Sequence, residues 1–279
     1  MAELLIGIIA TTILAQSDAS VPPSSDVERA QQRKWNEYYS GQATKYEIRS
    51  AGEPETLLKL NPKPVLFWSN PVRIGETNGA VFVWTHEGRA EVVGTIFSFL
   101  DRRDRKQRII AHSFHSLSIL PLAADRDGQP SWSIGVAGIQ PRAIPDGPQP
   151  ADLPSQRLLQ MRALAREFTA ATMQDSIERE LRLLPQPIYR NQRSTDQSLD
   201  GALFTFVMGT DPELMLLIDI HDTATGPRWH YAAARFTDLT VKLMHNQTEV
   251  WSYERQLGEK DDRSPYVTGR FAQHSAAIE

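Results

Sequence analysis

The sequence contains no cysteine among its 279 residues. This excludes disulfide bonds, thiolate metal ligands and cysteine nucleophiles. It also lacks a basic excess, since the formal net charge is −4, so nothing attracts nucleic acid. No internal apolar run reaches the length of about 18 residues that a membrane-spanning helix needs. We therefore expect a chain stabilised by its hydrophobic core, with no nucleic-acid partner and no transmembrane segment in the mature protein.

Catalytic and cofactor motifs are missing as well. The sequence has no G-x-S-x-G, no G-x-x-x-x-G-K-[ST], no G-x-G-x-x-G, no H-E-x-x-H and no EF-hand loop. Each of these patterns has a mechanical reason to bind a cofactor or perform a reaction. We therefore predict no cofactor and no metal site, and we expect a binding protein rather than an enzyme.

The N-terminus carries the one targeting signal. Leu4 to Ala15 is an apolar run of twelve residues, and polar residues follow it. Such a run is too short to cross a bilayer and is typical of a secretory signal peptide. We predict a signal peptide and cleavage zone over residues 1–19, and hence a periplasmic, cell-surface or secreted protein. A short buried helix or strand is the alternative.

What the sequence does contain is an internal recurrence. Residues 58–65 read L-K-L-N-P-K-P-V, and residues 181–188 read L-R-L-L-P-Q-P-I. Trp132 and Ser133 recur as Trp251 and Ser252. Because these matches keep the same order along the chain, we interpret them as a duplication.

Length and the recurrence together predict two domains. The predicted boundaries are a first repeat at 26–135, a proline-rich linker at 136–154, a second repeat at 155–257 and a polar tail at 258–279. Each repeat is predicted to be a helix packed on an antiparallel β-meander, which gives an α+β fold with a pseudo-twofold axis. The outline is similar to cystatin-like or NTF2-like domains. The alternative is a single closed barrel or sandwich built from both halves.

The clearest helical pattern opens the second half. Leu158, Met161, Ala165, Phe168 and Thr172 follow one another at spacings of three and four. This spacing predicts one amphipathic helix over all five residues, with Ser155 as its N-cap.

Two groups of residues are candidate catalytic or metal sites. Asp219 and His221 lie two apart on a predicted strand, and the following hairpin brings His230 alongside; a carboxylate beside imidazoles suits a hydrolase or a metal-assisted enzyme. The alternative is an ordinary polar strand end. His112 and His115 lie three apart on a strand and should point to opposite faces, so they should not share a metal ion.

Other residues are candidates for binding. Five basic residues fall within Asp101–Arg108, and Arg102, Arg103, Arg105 and Lys106 could hold an anion or an acidic partner. A solvated turn is the alternative. The aromatic residues Trp229 and Tyr231 are further candidates for ligand contact.

The proline stretch at 181–190, D-G-A-L-F at 200–204, G-T-D-P-E at 209–213 and Q-M-R-A-L-A-R-E-F at 160–168 resemble a family of uncharacterised exported proteins of planctomycete-type bacteria. The resemblance implies export and implies no activity or functional residue. Our leading hypothesis is therefore an exported, non-enzymatic protein that binds a small molecule, a polyanion or an envelope protein, with a cleft between the halves as the expected site. The enzyme hypothesis above and a structural envelope component are the alternatives.

Overall fold

The computed structural model of the chain describes residues 26–52, 55–70, 76–191, 200–255 and 264–278. The predicted signal peptide, residues 1–19, lies outside the described residues. Within the described ranges, neither helix has the length and hydrophobicity that a bilayer crossing requires.

One helix and nine strands form the first part of the chain. They are α1 (Asp26–Ala43), β1 (Tyr46–Ser50), β2 (Thr56–Leu57), β3 (Lys59–Leu60), β4 (Leu66–Asn70), β5 (Thr77–His86), β6 (Arg89–Leu100), β7 (Gln107–Ser116), β8 (Leu122–Arg126) and β9 (Gln129–Ile134).

The remaining elements follow in the same way. They are β10 (Arg142–Ala143), α2 (Pro154–Ala165), β11 (Phe168–Gln174), β12 (Ile177–Leu183), β13 (Tyr189–Asn191), β14 (Gly201–Met208), β15 (Asp211–Thr223), β16 (Gly226–Arg235), β17 (Thr240–His245), β18 (Thr248–Tyr253) and β19 (Tyr266–Ser275).

The strands form three sheets, and every strand pair is antiparallel. A four-stranded sheet has the order β2-β1-β8-β9. A six-stranded sheet has the order β19-β7-β6-β5-β3, with β4 also paired to β5. A nine-stranded sheet has the order β10-β16-β15-β14-β12-β11-β17-β18, with β13 paired to β14.

The predicted fold class is wrong. Strands account for 57% and helices for 12% of the residues, so the chain is mostly β with several curled sheets and not an α+β duplication of helix-on-meander halves. The reason is that much of the apolar surface is buried by sheet against sheet, a contribution that the helix-on-sheet argument left out.

The recurring proline stretch has a local structural counterpart. Asn61 and Val65 donate backbone hydrogen bonds to Val83 O and Val81 O of β5, each at 2.8 Å. In the other copy, Leu184 donates to Thr205 O at 3.0 Å and Ile188 donates to Leu203 O at 2.8 Å, both on β14. Proline cannot donate to a ladder, so only the flanking residues of each copy bond to the neighbouring long strand.

The predicted long helix of the second half is also wrong in its extent. Helix α2 ends at Ala165, and Phe168 and Thr172 belong to β11. Strand β11 pairs on both sides, with β12 and β17, and this pairing overrides the helical spacing. The N-cap is Leu153 and not Ser155, because Pro154 occupies the first helical turn, where its missing N–H costs nothing.

Three hydrophobic cores result. Helix α1 packs Trp35, Tyr39 and Ala43 against one face of the six-stranded sheet. Helix α2 packs Met161 and Leu164 against one face of the nine-stranded sheet. The third core lies between the opposite faces of these two sheets, and it positions the candidate site.

Candidate ligand-binding cleft

The third core, here called the inter-sheet core, is built from alternate residues of the long strands. Val81 and Val83 of β5 and Val93 of β6 pack in one buried cluster with Met215 and Leu217 of β15. Successive side chains of a strand point to opposite faces, and these five residues lie on the faces of their strands that meet in this core. The two ends of this core differ, and the residues at the ends of the strands determine the structure of each.

One end begins at the turn between β5 and β6. Glu87 and Gly88 both have positive φ, 47° and 80°, as a two-residue hairpin turn requires. Tyr189 donates its hydroxyl hydrogen to Gly88 O at 2.8 Å. The Ala90 N–H donates to Asn191 Oδ1 at 3.3 Å. The hairpin of one sheet is therefore tied directly to β13 of the other.

Asp219 lies at the centre of this end. It is buried and accepts a hydrogen bond from Asn191 Nδ2 at 2.8 Å. The guanidinium of Arg89 lies 3.7 Å from Asp219 Oδ2 and 2.9 Å from Glu91 Oε1. Gly201 makes room for the carboxylate, since a Cβ there would lie 1.6 Å from Asp219 Oδ1. We call Arg89, Glu91, Asn191 and Asp219 the closed end.

The structure brings the predicted Asp219, His221 and His230 group together. Asp219 lies opposite His230 in the strand register, and the rings of His221 and His230 have centroids 4.4 Å apart. Burial, His230 and Arg89 lower the pKa of His221 to about 4, so this imidazole is neutral at pH 7. No group of three metal-ligating side chains suited to an ion occurs in the part of the chain that the structure describes. The hydrogen-bond and charge partners found for Asp219 join the two sheets.

His112 and His115 point to opposite faces of β7. The Tyr46 hydroxyl lies 2.5 Å from His112 Nδ1 on the α1 side. His115 lies beside Tyr266 on the inter-sheet side and donates from Nδ1 to Ser116 O at 2.8 Å. Burial lowers the pKa of His115 to about 4.

The opposite end of the inter-sheet core opens into a cavity of about 710 Å³, here called the cleft. The six-stranded sheet supplies one wall, and the start of β15 with the β16–β17 connection supplies the other. The aromatic residues that line it are Trp68, Phe97, Phe99, Phe236 and Tyr266. A volume of this size is within the range of small-molecule sites.

Hydroxyl groups lie among these rings. Tyr266 donates to Ser113 Oγ at 3.0 Å, and Ser113 donates to Thr268 Oγ1 at 2.9 Å. Burial raises the pKa of Tyr266, so its hydroxyl stays a donor. Thr77 also lines the cleft, but its Oγ1 is enclosed by protein and is not open to a ligand in the cavity.

Four arginines, here called the rim arginines, line the cleft with exposed side chains. They are Arg102 and Arg103 of the β6–β7 turn, Arg255 after β18, and Arg270 of β19. The guanidinium carbon of Arg270 lies 5.4 Å from the centroid of the Phe99 ring. None of the four forms an ion pair with another described residue.

The acidic residues of the lining have protein partners. Asp101 accepts hydrogen bonds from the Arg103 N–H at 2.9 Å and from Gln273 Nε2 at 3.5 Å. Asp238 lies 3.8 Å from the guanidinium of Arg235. Asp211 and Glu213 are buried and partnered. Asp238 is therefore paired with a cation, whereas the donors to Asp101 are neutral, so the exposed rim carries the four rim arginines against the one carboxylate of Asp101.

The predicted basic turn is divided by the structure. Arg102 and Arg103 line the cleft, whereas Arg105 and Lys106 do not. Arg105 bonds to Glu76 Oε1 at 3.1 Å, and the Lys106 N–H donates to Asp104 Oδ1 at 3.0 Å.

The two predicted aromatic contacts lie elsewhere. Trp229 and Tyr231 are 1% and 5% exposed and belong to the core beneath α2. Neither residue is among those that line the cleft.

Sequence reasoning missed most of the cleft. Arg255 and Arg270 come from separate segments and follow no local motif. Phe97 and Phe99 do carry a signal, because they alternate with the buried Ile96 and Ser98 on β6. Large apolar side chains on the second face of a strand indicate that this face is covered.

No protein family, curated protein or solved structure matches this chain. The resemblance to exported planctomycete-type proteins therefore stays a prediction.

Proposed function

We propose that this chain is an exported, non-enzymatic binding protein that holds a small molecule in the cleft between its two large sheets. The observation that carries the proposal is the cleft itself, an aromatic cavity of about 710 Å³ whose lining also includes the hydroxyl groups of Ser113, Tyr266 and Thr268. Apolar walls with a few convergent polar groups are the usual composition of a ligand site. Aromatic rings supply contact area, and the polar groups orient the ligand.

The first test is binding of a neutral apolar fluorophore, N-phenyl-1-naphthylamine, to the mature chain. We expect saturable fluorescence enhancement that the substitution Thr268→Trp reduces at least about fivefold, because Thr268 lines the cleft and a larger ring would fill it. Ala272→Trp is the matched control, since Ala272 is exposed on the same strand and is not part of the lining. Equal loss in both variants, or no saturable binding to the unmodified chain, would overturn the proposal.

The enzyme hypothesis has a separate test at the other end of the inter-sheet core. If the chain showed turnover or bound a metal ion, and His221→Ala abolished it, the non-enzymatic proposal would be wrong. Asp219 of this group is buried in a contact between the sheets, with Arg89 3.7 Å away, whereas His221 and His230 are partly exposed. No contact found there favours a reaction, so the small-molecule proposal stands first.

A further inference from the structure

The charged residues around the cleft indicate which class of ligand it binds. We infer that the cleft binds an anionic amphiphile, a molecule with an apolar body and one carboxylate or phosphate group. This inference rests on the proposed function, because it names the class of ligand for the same cleft. It follows from two groups of lining residues that are separate in the chain and meet only in the folded protein.

The apolar body is assigned to the aromatic wall. Trp68 and Phe97 lie with ring centroids 6.1 Å apart, and Phe97 and Phe99 lie 6.3 Å apart. These three rings lie along the six-stranded sheet, with Phe236 on the facing side of the cleft. An apolar chain or ring laid along this row replaces water at apolar surface, worth roughly 25 cal/mol for each Å² covered.

The anionic group is assigned to the rim arginines. A guanidinium donates two parallel hydrogen bonds to a carboxylate or a phosphate. Among the exposed acidic side chains of the lining, Asp238 is paired with Arg235, and the single remaining carboxylate of Asp101 is outnumbered by the four rim arginines. Arg270 brings the site for the anionic group next to the aromatic wall, because its guanidinium carbon lies 5.4 Å from the Phe99 ring centroid.

The test compares probes that share one apolar chain and differ in the head group. Dodecanoate, dodecyl phosphate, dodecanol and dodecylamine compete with bound N-phenyl-1-naphthylamine at concentrations where each is monomeric. We expect both anions to displace the fluorophore at concentrations about tenfold lower than dodecanol does, since a charge-assisted hydrogen bond is worth roughly 1.5–3 kcal/mol. Dodecylamine should compete no better than dodecanol. The relative strengths of dodecanoate and dodecyl phosphate then identify which anionic group the site prefers.

A variant and its control test whether the rim arginines cause the preference for anionic probes. The variant carries Arg102→Gln, Arg103→Gln, Arg255→Gln and Arg270→Gln. The control carries Gln at four exposed arginines outside the cleft lining, Arg33, Arg166, Arg179 and Arg228. We expect the rim variant to bind dodecanoate and dodecanol alike, and the control to keep the preference for the anion.

The outcomes separate the two proposals. If the fluorophore binds in the cleft but dodecanoate gains nothing over dodecanol, or if the rim variant keeps the preference, this inference is wrong and the cleft remains a ligand site. Stronger competition by dodecylamine would overturn it in the same way. If neither the fluorophore nor any of the four probes binds, the proposed function fails together with this inference.

Discussion

The inter-sheet core finishes differently at its two ends. At the closed end, the Arg89 guanidinium lies between two carboxylates, 2.9 Å from Glu91 and 3.7 Å from Asp219. At the cleft, the rim arginines are exposed and have no ion pair with any described residue. Both ends carry arginine at the border of the same two sheets. The comparison indicates that arginine joins the sheets where it is buried and remains available to a ligand where it is exposed.

The two ends should differ most in how much stability is lost when one arginine is replaced at either end. The substitution Arg89→Met should lower the free energy of unfolding by about 3 kcal/mol, because it leaves two mostly buried carboxylates without their cation. Arg255→Met at the cleft should change it by less than about 0.5 kcal/mol, as exposed sites usually do. Urea unfolding of the two variants measures both values. Similar losses for the two variants would show that the ends do not differ in this way, and Asp219→Asn added to Arg89→Met should recover part of the loss.

A smaller loss of stability is expected when a side chain fills the space that Gly201 leaves for Asp219. A Cβ at this position would lie 2.7 Å from Asp219 Cγ and 2.8 Å from Asn191 Nδ2. The substitution Gly201→Ala should therefore cost about 2 kcal/mol, through a displaced carboxylate and weakened hydrogen bonds. Gly135→Ala is the control, because a Cβ there meets nothing within 4 Å. Equal unfolding midpoints for the two variants would contradict the close contact at Gly201.

The last effect on stability comes from a change of pH and is the smallest for a single side chain. The pKa of buried His115 is lowered from 6.5 to about 4, so the unfolded chain binds a proton in this interval and the folded chain does not. The stability that neutral His115 contributes is thus complete above pH 6.5 and is lost as the pH falls towards 4. Between pH 7 and pH 5, His115 lowers the free energy of unfolding by about 2 kcal/mol at most. His221, whose pKa is also lowered to about 4, acts in the same direction.

Unfolding measured at the two pH values checks this expectation. His221→Gln should flatten the pH dependence, whereas His86→Gln should not, because His86 is exposed on the β5–β6 hairpin. Stability that rose on acidification between these values would contradict the neutral, buried state of His115.

Prediction from sequence succeeded where neighbouring residues carry the information. Strand alternation put Asp219 and His221 on one face, and the hairpin at Gly226 brought His230 beside them. It failed at Phe168 and Thr172, because the pairing of β11 with β12 and β17 involves residues far along the chain. The rim arginines could not be predicted as a group for the same reason, since residues 102 and 270 meet only after β19 pairs with β7.

The sequence by itself determined a cysteine-free, β-rich chain and the recurring proline stretch that bonds to β5 and to β14. Only the tertiary structure decided that the two large sheets pack face to face, and that one end of their contact is filled by Arg89 and Asp219 while the other leaves the cleft. The physical reason is that hydrogen-bond ladders and side-chain periodicity are local properties. Which apolar faces meet, and which charges then become buried, depends on contacts between distant parts of the chain.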